Sequence, residues 1–132
     1  MINIAIADPN ETFCRSLKTL LEQIDGFSVI TIMENEKFIH KSMDDPVNVL
    51  LIDIGLYLDK CNPITAELAR ENNSMKIILL AMYEDDFESG LQKVEVILKS
   101  AGKEKFETRI RQLASAEFLK DISVNTQSLI QW

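Results

Sequence analysis

The chain has 132 residues, 46% of them hydrophobic and 27% charged, with a formal net charge of −7. That length supports one domain with a buried core and excludes two ordinary ones, and the composition argues against disorder for most of the chain. So acidic a chain is repelled by phosphate backbones, and no run of Lys and Arg reverses the sign locally, so no direct nucleic-acid binding by this domain is expected.

The first predicted element is "INIAIA" (2–7), short, apolar and isoleucine-rich, a buried strand. Asn10 or Glu11 opens a helix whose Phe13, Leu17, Leu20, Leu21 and Ile24 recur at helical spacing, and Asp25-Gly26 stops it. "FSVITIM" (27–33) reads as the second strand. "ENEKFIHKSM" (34–43) reads as a short exposed helix carrying His40 on solvated surface, broken by Asp44-Asp45-Pro46. "VNVLLID" (47–53) is the third strand, followed by a loop with Gly55 and Pro63 and a helix over 64–73. "MKIILLAM" (75–82) is the fourth strand, 84–93 a short helix or helical turn, and "VEVIL" (94–98) the fifth strand. An amphipathic helix over 103–120 repeats Phe106, Ile110 and Leu113 on one face. Residues 121–132 form a tail or the start of a linker.

Alternating strands and helices with continuously apolar strands need helices on both faces of a parallel sheet. Five strands in this rhythm fit a doubly wound α/β fold of flavodoxin-like order 2-1-3-4-5. The two cysteines, Cys14 and Cys61, form no CxxC pair, so neither a disulfide framework nor a zinc pattern is present. Cys14 is expected on the inner face of its helix and Cys61 in a loop. The N-terminus lacks a basic, apolar leader, and the longest apolar stretch, Ile77 to Tyr83, falls short of the roughly 18–20 residues a span needs. A soluble, cytoplasmic protein with no membrane partner is expected.

In such sheets function gathers beyond the carboxyl ends of the strands. There the sequence places Asp8, Asp53 and Lys99, with strands 1 and 3 adjacent so that the two acids share one rim. Two carboxylates and an ammonium suit phosphoryl chemistry: an aspartate as nucleophile, a lysine as point cation, and Mg²⁺ on carboxylates, waters and the phosphate itself. Strand-end acids paired with a structural lysine give the same pattern.

"IAIADPNETFCRSLKTLLE", "VNVLLIDIGL", "KIILLAMYEDDF" and "VEVILKSAGKEKFETRIRQL" resemble the CheY-like receiver domain of bacterial two-component response regulators, the kind often joined to a helix-turn-helix output domain. The resemblance runs over about 2–113 and implies a receiver domain over 1–120 that is a signalling module and not itself an enzyme. It implies Asp53 as phosphoacceptor, supplied by a histidine kinase, and Lys99 as the phosphoryl-contacting lysine. It implies Asp8, Asp53 and the Gly55 carbonyl as ligands of Mg²⁺. Output would pass through the face of the fourth helix, fifth strand and fifth helix, to a C-terminal DNA-binding domain or a partner protein, or through a homodimer.

The chain also departs from the family. Pro9 replaces the second acid, which weakens the expected Mg²⁺ site. Asn10 offers a neutral oxygen in another direction. Ala81 replaces the switch Ser or Thr, Val96 the switch aromatic, and Leu56-Tyr57 a Met-Pro-like pair. The stretch from Ala81 to Lys99 is short, so the fourth helix is expected to be truncated. Two expectations follow: an atypical receiver phosphorylated on Asp53, or a degenerate receiver acting as a phosphorylation-independent interaction module. A flavodoxin is disfavoured, because "ADPNET" lacks the Ser/Thr/Gly loop that cradles a phosphate.

Overall fold

The structure is a computed structural model, and it describes residues 1–34, 37–40, 46–59, 75–83 and 95–115. In chain order these residues form β1 (Ile2–Ala7), α1 (Glu11–Glu22), β2 (Phe27–Glu34), β3 (Lys37–His40), β4 (Val49–Asp53), α2 (Ile54–Asp59), β5 (Lys76–Ala81), β6 (Glu95–Leu98) and α3 over 103–115. The sheet order is β3-β2-β1-β4-β5-β6. Five of these strands are parallel, and counted without β3 they follow the predicted order 2-1-3-4-5.

Period-2 alternation sorts the strand residues onto two buried faces. Ile4, Ile6, Val29, Val49, Leu51, Ile78, Leu80 and Ile97 meet Cys14, Leu17 and Leu21 of α1 and Phe106 and Ile110 of α3. On the opposite face Ala5, Ala7, Ile30, Leu50, Ile52 and Leu79 form a second core, against which Ile54, Leu56 and Tyr57 of α2 pack. Helices therefore cover both faces, and this double burial is why the strands read as unbroken apolar runs. Between β1 and β2 the register steps past Ile30, so Ala5 pairs with Thr31. Ile30 keeps to the face of Ala5 all the same and is part of the second core.

The start of β4 is pinned to β1 by side chains as well as backbone. Asn3 N–H donates to Asn48 Oδ1 at 2.7 Å and Asn48 N–H to the Asn3 carbonyl at 2.8 Å. This fixes the register on which the opposite rim depends. Helix α1 starts where predicted: Asn10 is its N-cap, accepting the Phe13 N–H at 3.0 Å. The turn after it uses Gly26 at φ +88°, a conformation that favours glycine, so Asp25-Gly26 does end the element.

Two predicted elements are corrected. Residues 37–40 are not helical: β3 pairs antiparallel with β2, Thr31 opposite His40 and Glu34 opposite Lys37. The helix reading rested on two apolar residues, Phe38 and Ile39, which are stronger strand formers. An edge strand also satisfies backbone groups that β2 would otherwise leave open. Residues 54–59 are not loop but α2, because Asp53 caps the helix and Ile54, Leu56 and Tyr57 have a core to cover. The predicted helices over 64–73 and 84–93, Cys61 and the tail over 121–132 lie outside the described residues.

Candidate functional site

The register builds the site. Ala7 pairs with Ile52, so the next residues, Asp8 and Asp53, stand side by side at the rim. Asp53 pairs with Leu80 and Ala81 with Leu98, which brings Lys99 to the same rim one step on. Lys99 N–H donates to the Ala81 carbonyl at 2.8 Å and prolongs the ladder past β6.

The Lys99 ammonium then bridges both acids. Its Nζ lies 2.7 Å from Asp53 Oδ1 and 2.7 Å from Asp8 Oδ2. This ion pair is the contact that Asp8 Oδ2 makes among the described residues. Asp8 is fully buried, while the Asp53 and Lys99 side chains keep 15% and 13% exposure. A rim that is nearly closed raises the strength of these charge contacts above that of surface pairs.

The remaining carboxylate oxygens take backbone donors. Asn10 N–H donates to Asp8 Oδ1 at 2.8 Å, and Leu56 N–H to Asp53 Oδ2 at 3.1 Å. Asp53 is thus both a rim acid and the N-cap of α2. Cys14 is buried, as expected, and its thiol lies 3.4 Å from the Asp8 carbonyl. The Phe13 ring covers the ammonium, its centroid 5.2 Å from Nζ.

Burial alone pulls the Lys99 pKa down. The adjoining carboxylates of Asp53 and Asp8 outweigh it and leave the pKa above the ordinary lysine value. A group raised on folding stabilises the fold while it is protonated in both states, below its unfolded pKa of about 10.4, and loses that contribution as pH climbs through the folded value. Alkaline titration therefore reduces wild-type stability through a component that Lys99→Met lacks. Urea unfolding of both proteins between about pH 9 and 11 is the measurement. A constant difference across that window contradicts the ion pair.

The other named positions fall as follows. Gly55 is exposed in the first turn of α2, where an added Cβ would lie 3.0 Å from Asp53 Oδ2. Glycine there keeps the carboxylate uncrowded. Pro9 is exposed between Asp8 and the N-cap. Asn10 does not take over as a rim ligand, because its side-chain oxygen holds the Phe13 N–H. Ala81 is fully buried at the end of β5, with a methyl where a hydroxyl would stand. Val96 is half-buried and packs on the second core. Tyr83, two residues past β5, is exposed.

Sequence reasoning missed two members of the site. Helical spacing assigns Phe13 to the core stripe, yet the first turn of α1 also carries it over Lys99. The Leu56 N–H becomes a donor only because 54–59 is helical and not loop. An acid followed three residues later by an apolar position was the available cap signal.

These donors do not make a standing Mg²⁺ site. Mg²⁺ is held by one or two carboxylates only with substrate phosphate and waters completing an octahedral shell. Here both carboxylates are joined by one ammonium, Pro9 adds no side-chain oxygen, and no group of three His, Cys, Asp or Glu gathers among the described residues. No helix of the described residues is long and apolar enough to cross a membrane.

No family model and no curated protein matches this sequence. Solved structures do. The RcsB response regulator of Salmonella typhimurium, in a structure concerned with its conformational dynamism for DNA interaction, matches with TM-score 0.64 and 21% identity, over 88% of this chain and 60% of RcsB. A response regulator from Thermotoga maritima matches with TM-score 0.66 and 20% identity, over 87% of this chain and 98% of its own. A CheY-like receiver domain protein from Methanospirillum hungatei JF-1 gives 0.65 and 17%, over 91% and 98%. The chain spans 60% of the RcsB chain it matches. With five parallel strands in order 2-1-3-4-5 and helices on both faces, the chain has the receiver fold of response regulators.

Proposed function

We propose that this chain is a receiver module in phosphorelay signalling, with Asp53 accepting a phosphoryl group from the phosphohistidine of a histidine kinase. The observation that carries the reading is the Lys99 ammonium held between Asp8 and Asp53 at the strand-end rim. An Asp53 oxygen forms the bond to phosphorus as the phosphorus–nitrogen bond breaks. The electron pair leaves on the imidazole nitrogen, which takes up a proton. Lys99 meets the negative charge on the phosphoryl oxygens as a fixed cation. Asp8 keeps that lysine at the rim. The signal passes to a DNA-binding output domain, to a partner protein, or to a second copy of the chain.

A small acyl phosphate or phosphoramidate, supplied in Mg²⁺ buffer, tests this by intact mass. The expected result is one added phosphoryl group on the wild type and none on Asp53→Asn. Absence of label, while an ordinary receiver is labelled in parallel, rejects the reading.

A second reading is a phosphorylation-independent interaction module. It is favoured by Ala81, whose buried methyl cannot donate a hydrogen bond to a phosphoryl oxygen, and by Val96, which has no aromatic ring to reorient. A switch needs a bistable element that the new charge biases. On this reading Asp53→Asn leaves oligomeric state and partner binding unchanged, and a loss of either rejects it.

A further inference from the structure

We infer that Lys99 is a tethered substitute for a divalent cation, so that the free protein keeps its acidic pair neutralised without binding Mg²⁺. This goes beyond the phosphoacceptor reading and does not depend on it, because it concerns the protein before any donor arrives.

The argument begins with the oxygens. Four carboxylate oxygens face the rim, and each is engaged. Asp8 Oδ2 and Asp53 Oδ1 lie 2.7 Å from the same nitrogen. Asp8 Oδ1 and Asp53 Oδ2 accept the N–H groups of Asn10 and Leu56. A divalent ion entering here must displace the ammonium from both acids and shed tightly held water, which Mg²⁺ does reluctantly.

The ammonium is not easily displaced. Its backbone is tied to Ala81 by the 2.8 Å bond that extends the sheet, and the Phe13 ring lies against its head. A group tethered in this way competes at an effective concentration on the order of millimolar or more. Among the described residues no third acid tilts the balance back. Pro9 has no side-chain oxygen, and the Asn10 amide oxygen is occupied in capping α1. The two carboxylates and one ammonium leave a single net negative charge, a weak attraction for a hard divalent ion.

Mn²⁺ is the probe, because its bound fraction is read directly by electron paramagnetic resonance. Wild-type protein free of phosphodonor is expected to show no bound Mn²⁺ at up to about millimolar concentrations. Its thermal midpoint is expected to be the same in MgCl₂ as in NaCl of equal ionic strength. Lys99→Met, with its acids unneutralised, is expected to bind Mn²⁺ and to gain thermal stability from Mg²⁺ over the NaCl control. Sub-millimolar Mn²⁺ binding by the wild type that disappears in Asp53→Asn overturns the inference, as does a folded Lys99→Met indifferent to divalent ions. Should Lys99→Met fail to fold with or without Mg²⁺, the wild-type measurement alone decides. None of these readouts uses a phosphodonor, so failure here and failure of phosphorylation are separately visible.

Discussion

Lys99→Met is expected to lower the unfolding free energy at neutral pH by on the order of 3 kcal/mol. The large effect comes from what stays behind. Asp8 is fully buried, and the Lys99 ammonium is the one partner of its Oδ2 among the described residues. Asp53 loses the same cation, so two carboxylates then face each other across a rim with little water. Breaking a buried pair by removing one member costs more than the pair contributes, because an unpaired charge remains in low dielectric. The low end of the usual range applies because Lys99 and Asp53 keep some contact with water. Methionine preserves the aliphatic stem and its packing on Phe13, so the loss reports charge and not volume. Adding Asp8→Asn to Lys99→Met is expected to recover at least about 1 kcal/mol, which identifies the orphaned carboxylate as the source. Urea denaturation of the two single variants and the double variant checks this. A double variant as unstable as the sum of its parents contradicts the coupling.

The fold was legible because doubly buried strands leave an unmistakable trace. "INIAIA" and "VLLID" are each apolar at all but one position, and only a sheet covered on both faces requires that. Asp8, Asp53 and Lys99 were legible for a related reason: each is the first charged residue to end such a run. What escaped was the local chemistry between strands. Four residues at 37–40 are too few for periodicity to separate helix from strand, and the open edge of β2, a tertiary fact, decided the matter. At 54–59 the glycine after Asp53 suggested a loop, while a side-chain cap, which no periodicity records, started a helix. The contact between Phe13 and Lys99 joins residues far apart in sequence, and it becomes visible only once α1 and β6 share a rim. Asn10 shows the converse. Its type fitted both a ligand and a cap, and the backbone of α1 used it as the cap.

Phe106→Ala is expected to cost about 3–5 kcal/mol, the range for emptying a phenylalanine site in a packed core. Phe106 is 1% exposed and sits with Ile110 against the strand residues of the first face. It lies in the first turn of α3, soon after Lys99, and its N–H is bonded to the Gly102 carbonyl at 3.2 Å. Packing of this ring therefore fixes where α3 begins, and with it the short turn that leads out of Lys99. The polar ties of α3 are weaker anchors. Arg109 pairs with Glu95 at 2.7 Å, but both side chains are substantially exposed, and such pairs contribute about 1 kcal/mol or less. Arg111 donates to the Asp25 carbonyl at 2.8 Å and lies over the Phe27 ring, again at an exposed position. Arg109→Ala is accordingly the control within the same helix, expected to lower the thermal midpoint by only a few degrees, against about 10 °C or more for Phe106→Ala. Because α3 carries the chain away from Lys99, Phe106→Ala is also expected to loosen the rim. The alkaline loss of stability assigned to the Lys99 ion pair then shrinks in the Phe106→Ala background and persists in Arg109→Ala. Equal costs for the two variants contradict the core role of Phe106, and an undiminished alkaline component in Phe106→Ala shows that the ion pair is held without α3.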